Sequence, residues 1–352
     1  MTARKWKYVF LFTVGFLIGN VDRPVGVVHN RSWQDVKPTQ PSEKVIPLVT
    51  PFRLPTNQPP PPSVPPTAPP LAFSEPTDPM SRVLNNTLII IPLNMGYLEF
   101  GLNLLCSLRK LEITNYIFLA MDESVFDILL AKRIPVYMDK ALPFVMSEAG
   151  MFGEEKFHRL LCLKLLPVIN LLKKGVNVLF TDADIVWLRD PTPFLRWDLD
   201  LTISIGGCQA YLPDNLELSL SDDVSMCTGF YFVQAKISMI DMFSRTHQAC
   251  MSGHLPDQKW QGAQVDDQTA MNSVVDDDQV FGSFSGAQKY HYGFFDGCRF
   301  ANGCVYFKHV CKGMEGYNEE VIVHANFLVG KKEKIHNLNR TGLWYETCIS
   351  NM

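Results

Sequence analysis

Several motifs that would assign a nucleotide or nucleic-acid function are missing from this sequence. It contains neither a Gly-x-Gly-x-x-Gly turn nor a glycine-rich loop ending in Lys-Ser or Lys-Thr, which excludes an ordinary dinucleotide or P-loop site. Basic residues are not in surplus, because 32 Lys and Arg stand against 36 Asp and Glu. No basic face or RNA-binding signature is visible either, so we predict no nucleic-acid partner.

The sequence also lacks an apolar run of the length of an ordinary membrane-spanning helix. Arg4, Lys5 and Lys7 precede a mostly apolar run over 8–21, and its roughly 14 residues fall short of the roughly 20 that cross a bilayer. The run is typical of a signal peptide or of a short uncleaved signal anchor. We favour the anchor because no clear small-x-small cleavage site follows. The prediction is a cytosolic tail and anchor over 1–28 and a lumenal remainder.

A proline-rich segment follows this run. Fifteen of the 24 prolines lie within 37–79, where helical and strand periodicity are almost absent. Chains of this composition favour extended polyproline II conformations and act as semi-rigid spacers. We therefore predict a stem over 29–84 and one globular domain over 85–352.

Cysteines and glycosylation triplets fit an oxidising lumen. Nine cysteines are present, and Asn-x-Ser or Asn-x-Thr triplets begin at Asn30, Asn85 and Asn339. Some cysteines are expected to pair, but spacing does not give the connectivity, and the odd count leaves at least one that is free or bonded to another chain. Zinc is the competing interpretation of the cysteine cluster over 298–311. The absence of a Cys-x-x-Cys pair argues against it.

Alternating apolar and amphipathic segments predict an α/β domain. Strands are predicted at 87–92, 116–121, 134–137, 176–180, 199–205 and 227–233, and helices at 97–110, 123–132, 154–174 and 237–250. This alternation predicts a parallel sheet with right-handed crossover connections.

An acid pair stands at the carboxyl end of the fourth predicted strand. The apolar run from Val176 to Phe180 is typical of a strand buried on both faces, and Asp182-Ala183-Asp184 follows it. Ligands bind at this edge of an open α/β sheet, and two acids one residue apart supply oxygen ligands for one hard divalent cation. Apolar residues follow directly, so the pair is not part of a solvated acidic run. The pattern predicts a cation that could neutralise a diphosphate.

A later acidic segment contains two further candidates. The segment over 266–272 is typical of the first turn of a helix, because the helix dipole favours acids there. Asp267 and Gln268 could cap this helix or face a reacting carbon. The three acids at 276–278 are interpreted as a solvated turn.

The last candidates lie near the C-terminus. His324 ends a β-branched run; such a His is usually structural, but beside an acid pair without other protein ligands it becomes a candidate metal ligand. Lys331, Lys332 and Lys334 follow Gly330, and they could hold phosphate as point charges or lie in a solvated surface turn.

These motifs, taken in order, resemble those of a known family. The segments LFTDADIVWLRDP and HANFLVGKKEKIHNLNRTGLW, with a Thr-Gly-Phe strand and an Asp-Gln helix between them, resemble the nucleotide-diphospho-sugar transferase domain of glycosyltransferase family 77. Its members include pectic xylosyltransferases and arabinosyltransferases, and the resemblance covers about 85–344. It implies a GT-A type fold: a Rossmann-like mixed α/β sheet flanked by helices, in a single globular domain.

The resemblance also implies substrates, a cofactor and a location. The expected donor is a nucleoside-diphosphate sugar, in particular a UDP-sugar such as UDP-xylose, UDP-arabinose or UDP-galactose, and the expected acceptor is a glycan or glycoprotein. Mn²⁺ or Mg²⁺ would bridge the donor diphosphate. The implied location is the Golgi membrane, as a single-pass type II protein, with a secreted form if the first segment is cleaved.

Individual roles follow from the same resemblance. Asp182, Asp184 and His324 would bind the metal, with Asp182 also contacting the ribose. Asp267 and Gln268 match the pair that retaining enzymes place beside the donor sugar, so retention is expected. The other residues expected in the donor site are Lys164, Asn326, Gly330, Lys332 and Lys334, of which either Lys332 or Lys334 would stabilise the departing diphosphate.

Two other functions stay open from the sequence. The stretch over 182–186 also fits the nucleophile strand of haloacid-dehalogenase-type phosphatases, although three predicted strands precede it. A non-catalytic, glycan-binding relative of the fold is the other alternative. Loops over 207–224 and 282–309 are expected to shape an acceptor cleft. Their aromatic residues, which could stack on sugars or pack in the core, are Tyr211, Tyr290, Tyr292, Phe294 and Phe295.

Overall fold

A computed structural model of the protein describes residues 77–139, 161–208, 224–285, 289–314 and 319–352. The predicted anchor and most of the predicted stem lie outside these ranges. The described residues belong to one compact unit, Leu71–Met352. Within the described ranges, no helix is both long enough and apolar enough to cross a membrane.

The strands and helices follow the predicted order. The strands are β1 (Thr87–Leu93), β2 (Tyr116–Ala120), β3 (Val136–Tyr137), β4 (Asn177–Thr181), β5 (Ile185–Trp187), β6 (Leu201–Ile205), β7 (Met226–Val233), β8 (Tyr292–Phe294), β9 (Phe300–Asn302) and β10 (Ile322–His324). The α-helices are α1 (Leu98–Lys110), α2 (Glu123–Ala131), α3 (Leu165–Lys173), α4 (Ile237–Ser252), α5 (Asp267–Ser285), α6 (Gly303–Phe307), α7 (Lys331–Arg340) and α8 (Glu346–Ser350).

Seven strands form the main sheet, in the order β3-β2-β1-β4-β7-β6-β8. The first four are parallel to their neighbours, as predicted, whereas β7 is antiparallel to both β4 and β6. The fully parallel arrangement is therefore wrong past β4, and the mixed α/β sheet of the predicted fold class is confirmed. The carboxyl ends of β1, β4 and β6 share one edge of the sheet, where the amino end of β7 also lies.

Successive residues of the central strands face opposite sides of the main sheet. In β1, Leu88 and Ile90 belong to one buried cluster, and Ile89 and Ile91 belong to the other. Helices α3, α4 and α5 cover the first side, while α1, α2, α7 and a small second sheet cover the other. Both faces are thus removed from water, which explains why the strands are continuous apolar runs rather than alternating ones.

The small second sheet has the order β5-β10-β9. Its strand β5 begins directly after the acid pair and runs antiparallel to β10, with Ile185 opposite His324. The N–H of Ala325 donates to the carbonyl of Asp184 at 3.0 Å. This register brings the C-terminal histidine beside the acid pair.

The predicted helix over 154–174 is interrupted. Residues 161–163 are helical, Lys164 forms a turn, and α3 begins at Leu165. Pro167 explains the break, because proline has no N–H to donate to the carbonyl four residues earlier and its ring crowds that carbonyl. Residues 154–160 lie outside the described ranges.

Eight of the nine cysteines form disulfides. The pairs are Cys106–Cys348, Cys162–Cys250, Cys208–Cys304 and Cys298–Cys311. Pairing of some cysteines is confirmed, and none of the clustered cysteines is left to bind zinc. Cys227 is the free cysteine, and it is buried.

The three acids at 276–278 are not a solvated turn, because they lie inside α5. The side chain of Asp278 is 5% exposed and accepts from Lys289 Nζ at 2.7 Å, from Arg245 Nη2 at 2.5 Å and from Tyr290 Oη at 2.9 Å. Burial tends to raise the pKa of Asp278, but the hydrogen bonds from Arg245, Lys289 and Tyr290 outweigh it and hold the pKa below its ordinary value.

We expect Asp278→Asn to destabilise the fold by about 2 kcal/mol, lowering the Tm by roughly 5 °C, because a buried carboxylate with charged hydrogen-bond partners is lost. Thermal unfolding at pH 7 measures this. Since the folded-state pKa is lowered, the stabilisation is present at neutral pH and is lost as the pH falls through that value, so the two proteins should converge in acid.

Asp241→Asn is the matched control for this change. Asp241 pairs with the same guanidinium, but its side chain is 59% exposed, so the expected loss is below about 0.5 kcal/mol. Equal losses in the two variants would contradict a role for burial.

Candidate functional site

The acid pair lies at the shared edge of the main sheet, between β4 and β5. The N–H of Asp182 donates to the carbonyl of Gly229 at 2.7 Å, which fixes the chain where it leaves β4. Asp184 is buried, and Asp182 is half-buried. The sequence-based position of the pair, at the end of the fourth strand, is confirmed.

His324 completes a group of three possible metal ligands. Its Nε2 lies 3.2 Å from Asp184 Oδ1 and 3.9 Å from Asp182 Oδ2. One ligand atom from each of the three residues can be chosen so that all lie within 4.8 Å of one another. Two carboxylates and an imidazole suit a divalent cation with a preference for oxygen and nitrogen, so these residues fit a Mn²⁺ or Mg²⁺ site.

Gly229 makes this close approach possible. A Cβ atom at that position would lie 2.3 Å from His324 Cε1 and 2.9 Å from Asp182 Oδ2. The strand β7 thus needs a residue without a side chain opposite the ligand group. A glycine inside a strand often marks such a close approach, so the sequence contained this signal, although its role was not predicted.

Lys164 joins the acid pair to helix α5. Its Nζ lies 2.9 Å from Asp267 Oδ2 and 3.4 Å from Asp182 Oδ1, and its side chain is buried. Burial alone would lower the pKa of Lys164, but the carboxylates of Asp182 and Asp267 outweigh it and raise the pKa above its ordinary value. Lys164 lies in the turn that directly precedes α3.

Lys334 contacts the other acid of the pair. Its Nζ lies 2.5 Å from Asp184 Oδ2 and 5.6 Å from the centroid of the Tyr97 ring. Burial tends to raise the pKa of Asp184, but Lys334 and His324 outweigh it and hold that pKa far below its ordinary value. Lys332, the alternative lysine, is exposed.

His324 and Asp182 are also shifted by their surroundings. Burial alone would lower the pKa of His324, but the contacts with Asp184 outweigh it and raise the pKa to about 10. Burial raises the pKa of Asp182 above its ordinary value, against the opposing charges of Lys164 and His324. Three carboxyl groups, including that of Asp267, therefore share the site with the ammonium groups of Lys164 and Lys334 and the imidazole of His324.

Asp267 and Gln268 form the first turn of α5, as predicted. The capping role belongs to Asp266, whose Oδ1 accepts from the Thr269 N–H at 2.7 Å. Asp267 instead contacts Lys164, and Gln268 is half-buried. One turn later, Asn272 holds the start of β7 by bonding both the N–H and the carbonyl of Met226.

Asn326 and Gly330 lie on the segment that follows His324. Asn326 Oδ1 accepts from the Gly303 N–H at 2.8 Å, and its Nδ2 contacts the Cys227 sulfur at 3.7 Å. Gly330 precedes α7 with φ of 83°, in the left-handed region that favours glycine. Asn326 thus supports the segment, and Gly330 sets the direction of α7.

Two residues of the site were missed by the sequence reasoning. Tyr97 is the last residue of the short 3₁₀ turn Met95–Tyr97, past the carboxyl end of β1, with its ring facing Lys334. Cys227 places its buried sulfur 3.9 Å from His324 Nδ1, on the opposite side of the imidazole from the acids. Neither belongs to a recognisable spacing, so only the packing of distant strands reveals them.

The predicted acceptor aromatics differ in burial. Tyr290 and Phe295 are buried, Tyr290 through its bond to Asp278 and Phe295 by stacking on Phe300. These two belong to the core, whereas Tyr292 and Phe294 are half-buried on β8. Tyr211 lies outside the described residues.

Comparison with known proteins shows the family to which this chain belongs. The family model described as nucleotide-diphospho-sugar transferase matches residues 111–338, so the chain belongs to this family. The predicted resemblance to the family 77 transferases is thereby confirmed.

Among curated proteins, the chain is 26% identical over 295 residues to a UDP-galactose:fucoside alpha-3-galactosyltransferase of Dictyostelium discoideum, covering 75% of this chain and 44% of the relative. It is 22% identical over 281 residues to UDP-D-xylose:L-fucose alpha-1,3-D-xylosyltransferase 1 of Arabidopsis thaliana, covering 74% and 71%. The chain spans less than half the length of the first curated relatives that it matches.

Among solved structures, mouse xyloside xylosyltransferase 1 in its apo form matches with a TM-score of 0.44 and 12% identity, over 68% of this chain and 98% of that one. The galactosyltransferase LgtC, in complex with donor and acceptor sugar analogues, matches with a TM-score of 0.45 and 11% identity, over 73% and 95%.

Proposed function

We propose that this protein is a metal-dependent glycosyltransferase that moves a sugar from a nucleoside-diphosphate sugar to a glycan or glycoprotein. The observation that supports this most is the joint position of Asp182, Asp184 and His324 at the sheet edge, with Lys164 and Lys334 against the acids. Relatives named for UDP-galactose and UDP-D-xylose favour a UDP-sugar donor, and arabinosyltransferases are also among them.

Asp182, Asp184 and His324 would hold Mn²⁺ or Mg²⁺ in this proposal. When bound, such an ion would act as a Lewis acid on the donor diphosphate and stabilise its developing charge. Lys334 is the better candidate than Lys332 for a second positive charge on the diphosphate, because its Nζ already reaches the acid pair. A fixed cationic environment aimed at a leaving group is commonly the largest single contribution to catalysis.

Asp267 and Gln268 are proposed to face the donor sugar, consistent with transfer that retains configuration. The contact with Lys164 at 2.9 Å keeps the Asp267 carboxylate paired and oriented although it is buried. Lys164 also contacts Asp182, so the proposed metal side and the proposed sugar side of the site share one ammonium.

The phosphatase alternative gains no support from the geometry. Strands β1, β2 and β3 precede the acid pair, whereas the nucleophile strand of such phosphatases opens the domain. Such phosphatases also have an acidic motif late in the domain, which the acids at 276–278 could mimic, but Asp278 is engaged by Arg245 and Lys289.

Topology and location are part of the proposal as well. We propose that the residues over 1–28 anchor the protein in the Golgi membrane, that 29–84 form a stem, and that 85–352 work in the lumen. The four disulfides support an oxidising compartment.

The full chain incubated with Mn²⁺ and a panel of UDP- and GDP-sugars tests the proposed activity. Donor turnover with one UDP-sugar, lost with a chelator and restored by added Mn²⁺, is the expected result. Phosphate release from simple phosphomonoesters without donor turnover would support the phosphatase instead. The absence of activity in both assays would favour the alternative that the protein is a non-catalytic, glycan-binding relative of the fold.

A further inference from the structure

Lys334 takes a position on Asp184 that a bound divalent cation would also need. Its Nζ lies 2.5 Å from Asp184 Oδ2, while His324 Nε2 lies 3.2 Å from Oδ1 of the same carboxylate. Both oxygens of Asp184 are therefore engaged by side chains of the protein. The Lys334 side chain is only 12% exposed, so this contact is shielded from water and salt.

Each acid of the pair already has an ammonium partner, Lys164 for Asp182 and Lys334 for Asp184. Three carboxyl groups, those of Asp182, Asp184 and Asp267, face the two ammonium groups and the imidazole. A divalent cation bound to Asp184 would lie close to the Lys334 ammonium, and like charges at such a distance repel each other strongly in a medium of low dielectric constant. Either a cation leaves Asp184 or an anion enters with the metal.

Lys334 is the partner that can move. The side chain has a flexible four-carbon stem, and the Tyr97 ring at 5.6 Å offers its ammonium a second favourable surface. Helix α7 has other contacts with the domain, because Leu338 is buried in the core and Lys331 Nζ lies 3.3 Å from Glu99 of α1. His324, by contrast, is fixed by its strand register and by the tight contact with Gly229.

We propose, on the basis of the function proposed above, that Lys334 is an internal stand-in for the metal. It holds Asp184 while no ion is bound, releases it to the ion, and then pairs with the diphosphate of the donor. Metal and nucleotide therefore bind interdependently: the ion alone must compete with Lys334, and the diphosphate removes that competition by accepting the ammonium.

The test measures Mn²⁺ binding to the full chain without nucleotide, by titration calorimetry or by the EPR signal of free Mn²⁺. Lys334→Gln is expected to bind Mn²⁺ roughly tenfold more tightly than the natural protein, because a contact cation no longer competes for Asp184. Adding UDP should tighten Mn²⁺ binding in the natural protein and should do so much less in this variant.

Two matched variants control for general charge effects. Lys332→Gln removes one charge from the same helix at an exposed position, and its Mn²⁺ affinity without nucleotide should stay within about twofold. Lys334→Arg keeps the charge and should also stay near the natural affinity. Thermal unfolding provides a second readout, since Mn²⁺ should raise the Tm of Lys334→Gln more than that of the natural protein.

The outcomes separate this inference from the proposed function. A chain that turns over a UDP-sugar, but whose Lys334→Gln variant binds Mn²⁺ no more tightly, overturns the stand-in role alone. A chain that turns over no donor, but whose variant shows the tenfold gain, overturns the transferase and supports the competition at Asp184. No Mn²⁺ binding by either the natural protein or Lys334→Gln, with or without UDP, overturns both.

Discussion

Asp184→Asn is expected to abolish Mn²⁺ binding and to lower donor turnover by roughly 10³-fold, the loss that follows removal of a main electrostatic stabiliser of the transition state. Asp184 is the acid that contacts both His324 and Lys334, so it is central to the proposed metal site. The amide has nearly the same shape as the carboxylate but lacks its charge. Metal titration and UDP-sugar turnover on the full chain measure the two effects.

Asp184→Asn is also expected to lower the stability of the fold. Removing the charge takes the carboxylate partner away from the buried Lys334 ammonium, which lowers the free energy of unfolding. The loss of activity must therefore be read on protein whose circular dichroism and melting show a folded chain. Asp127→Asn, the same substitution on the exposed face of α2, is the control and should retain both Mn²⁺ binding and turnover. Mn²⁺ affinity unchanged by Asp184→Asn would refute the metal site.

Gly229→Ala is expected to lower Mn²⁺ affinity and donor turnover by roughly 100-fold, as removal of supporting residues around metal ligands commonly does. The added Cβ would lie 2.3 Å from His324 Cε1 and 2.9 Å from Asp182 Oδ2, distances at which something must move. His324 is held by the β5–β10 register and Asp182 by its bond to the Gly229 carbonyl. The two ligands would be forced apart while the strand itself accommodates alanine.

Gly101→Ala is the matched control for this steric effect. Its Cβ would lie 2.6 Å from a terminal carbon of Leu93, a flexible side chain that is not one of the proposed metal ligands. We expect at most a modest loss of stability and normal Mn²⁺ affinity in that variant. Mn²⁺ affinity of Gly229→Ala within twofold of the natural protein would show that the close approach is not needed.

The sheet and the place of the acid pair could be predicted from sequence because their signals are local. Apolar runs identified β1, β2 and β4 to within one or two residues, and the acids followed the last of them directly. The interruption at Lys164 was missed, although Pro167 provided a signal for it. The helix was expected to continue because its amphipathic pattern continues on both sides of the proline.

Contacts between distant segments were not predictable in this way. Three consecutive acids predict a solvated turn over 276–278, whereas Asp278 is buried against Arg245 of another helix. Cys227 and Tyr97 join the site only through the packing of β7 and the end of β1 around it. No spacing in the chain encodes these distances.

The sequence by itself determined the α/β class, the edge of the sheet where the site lies, and the residue types gathered there. Tertiary structure decided which of these residues meet: the β5–β10 register brings His324 to Asp184, Lys164 joins Asp182 to Asp267, and Lys334 rather than Lys332 reaches the acids. The physical reason is that strand and helix signals depend on neighbours in the chain, whereas ligand geometry depends on the register and docking of elements more than a hundred residues apart.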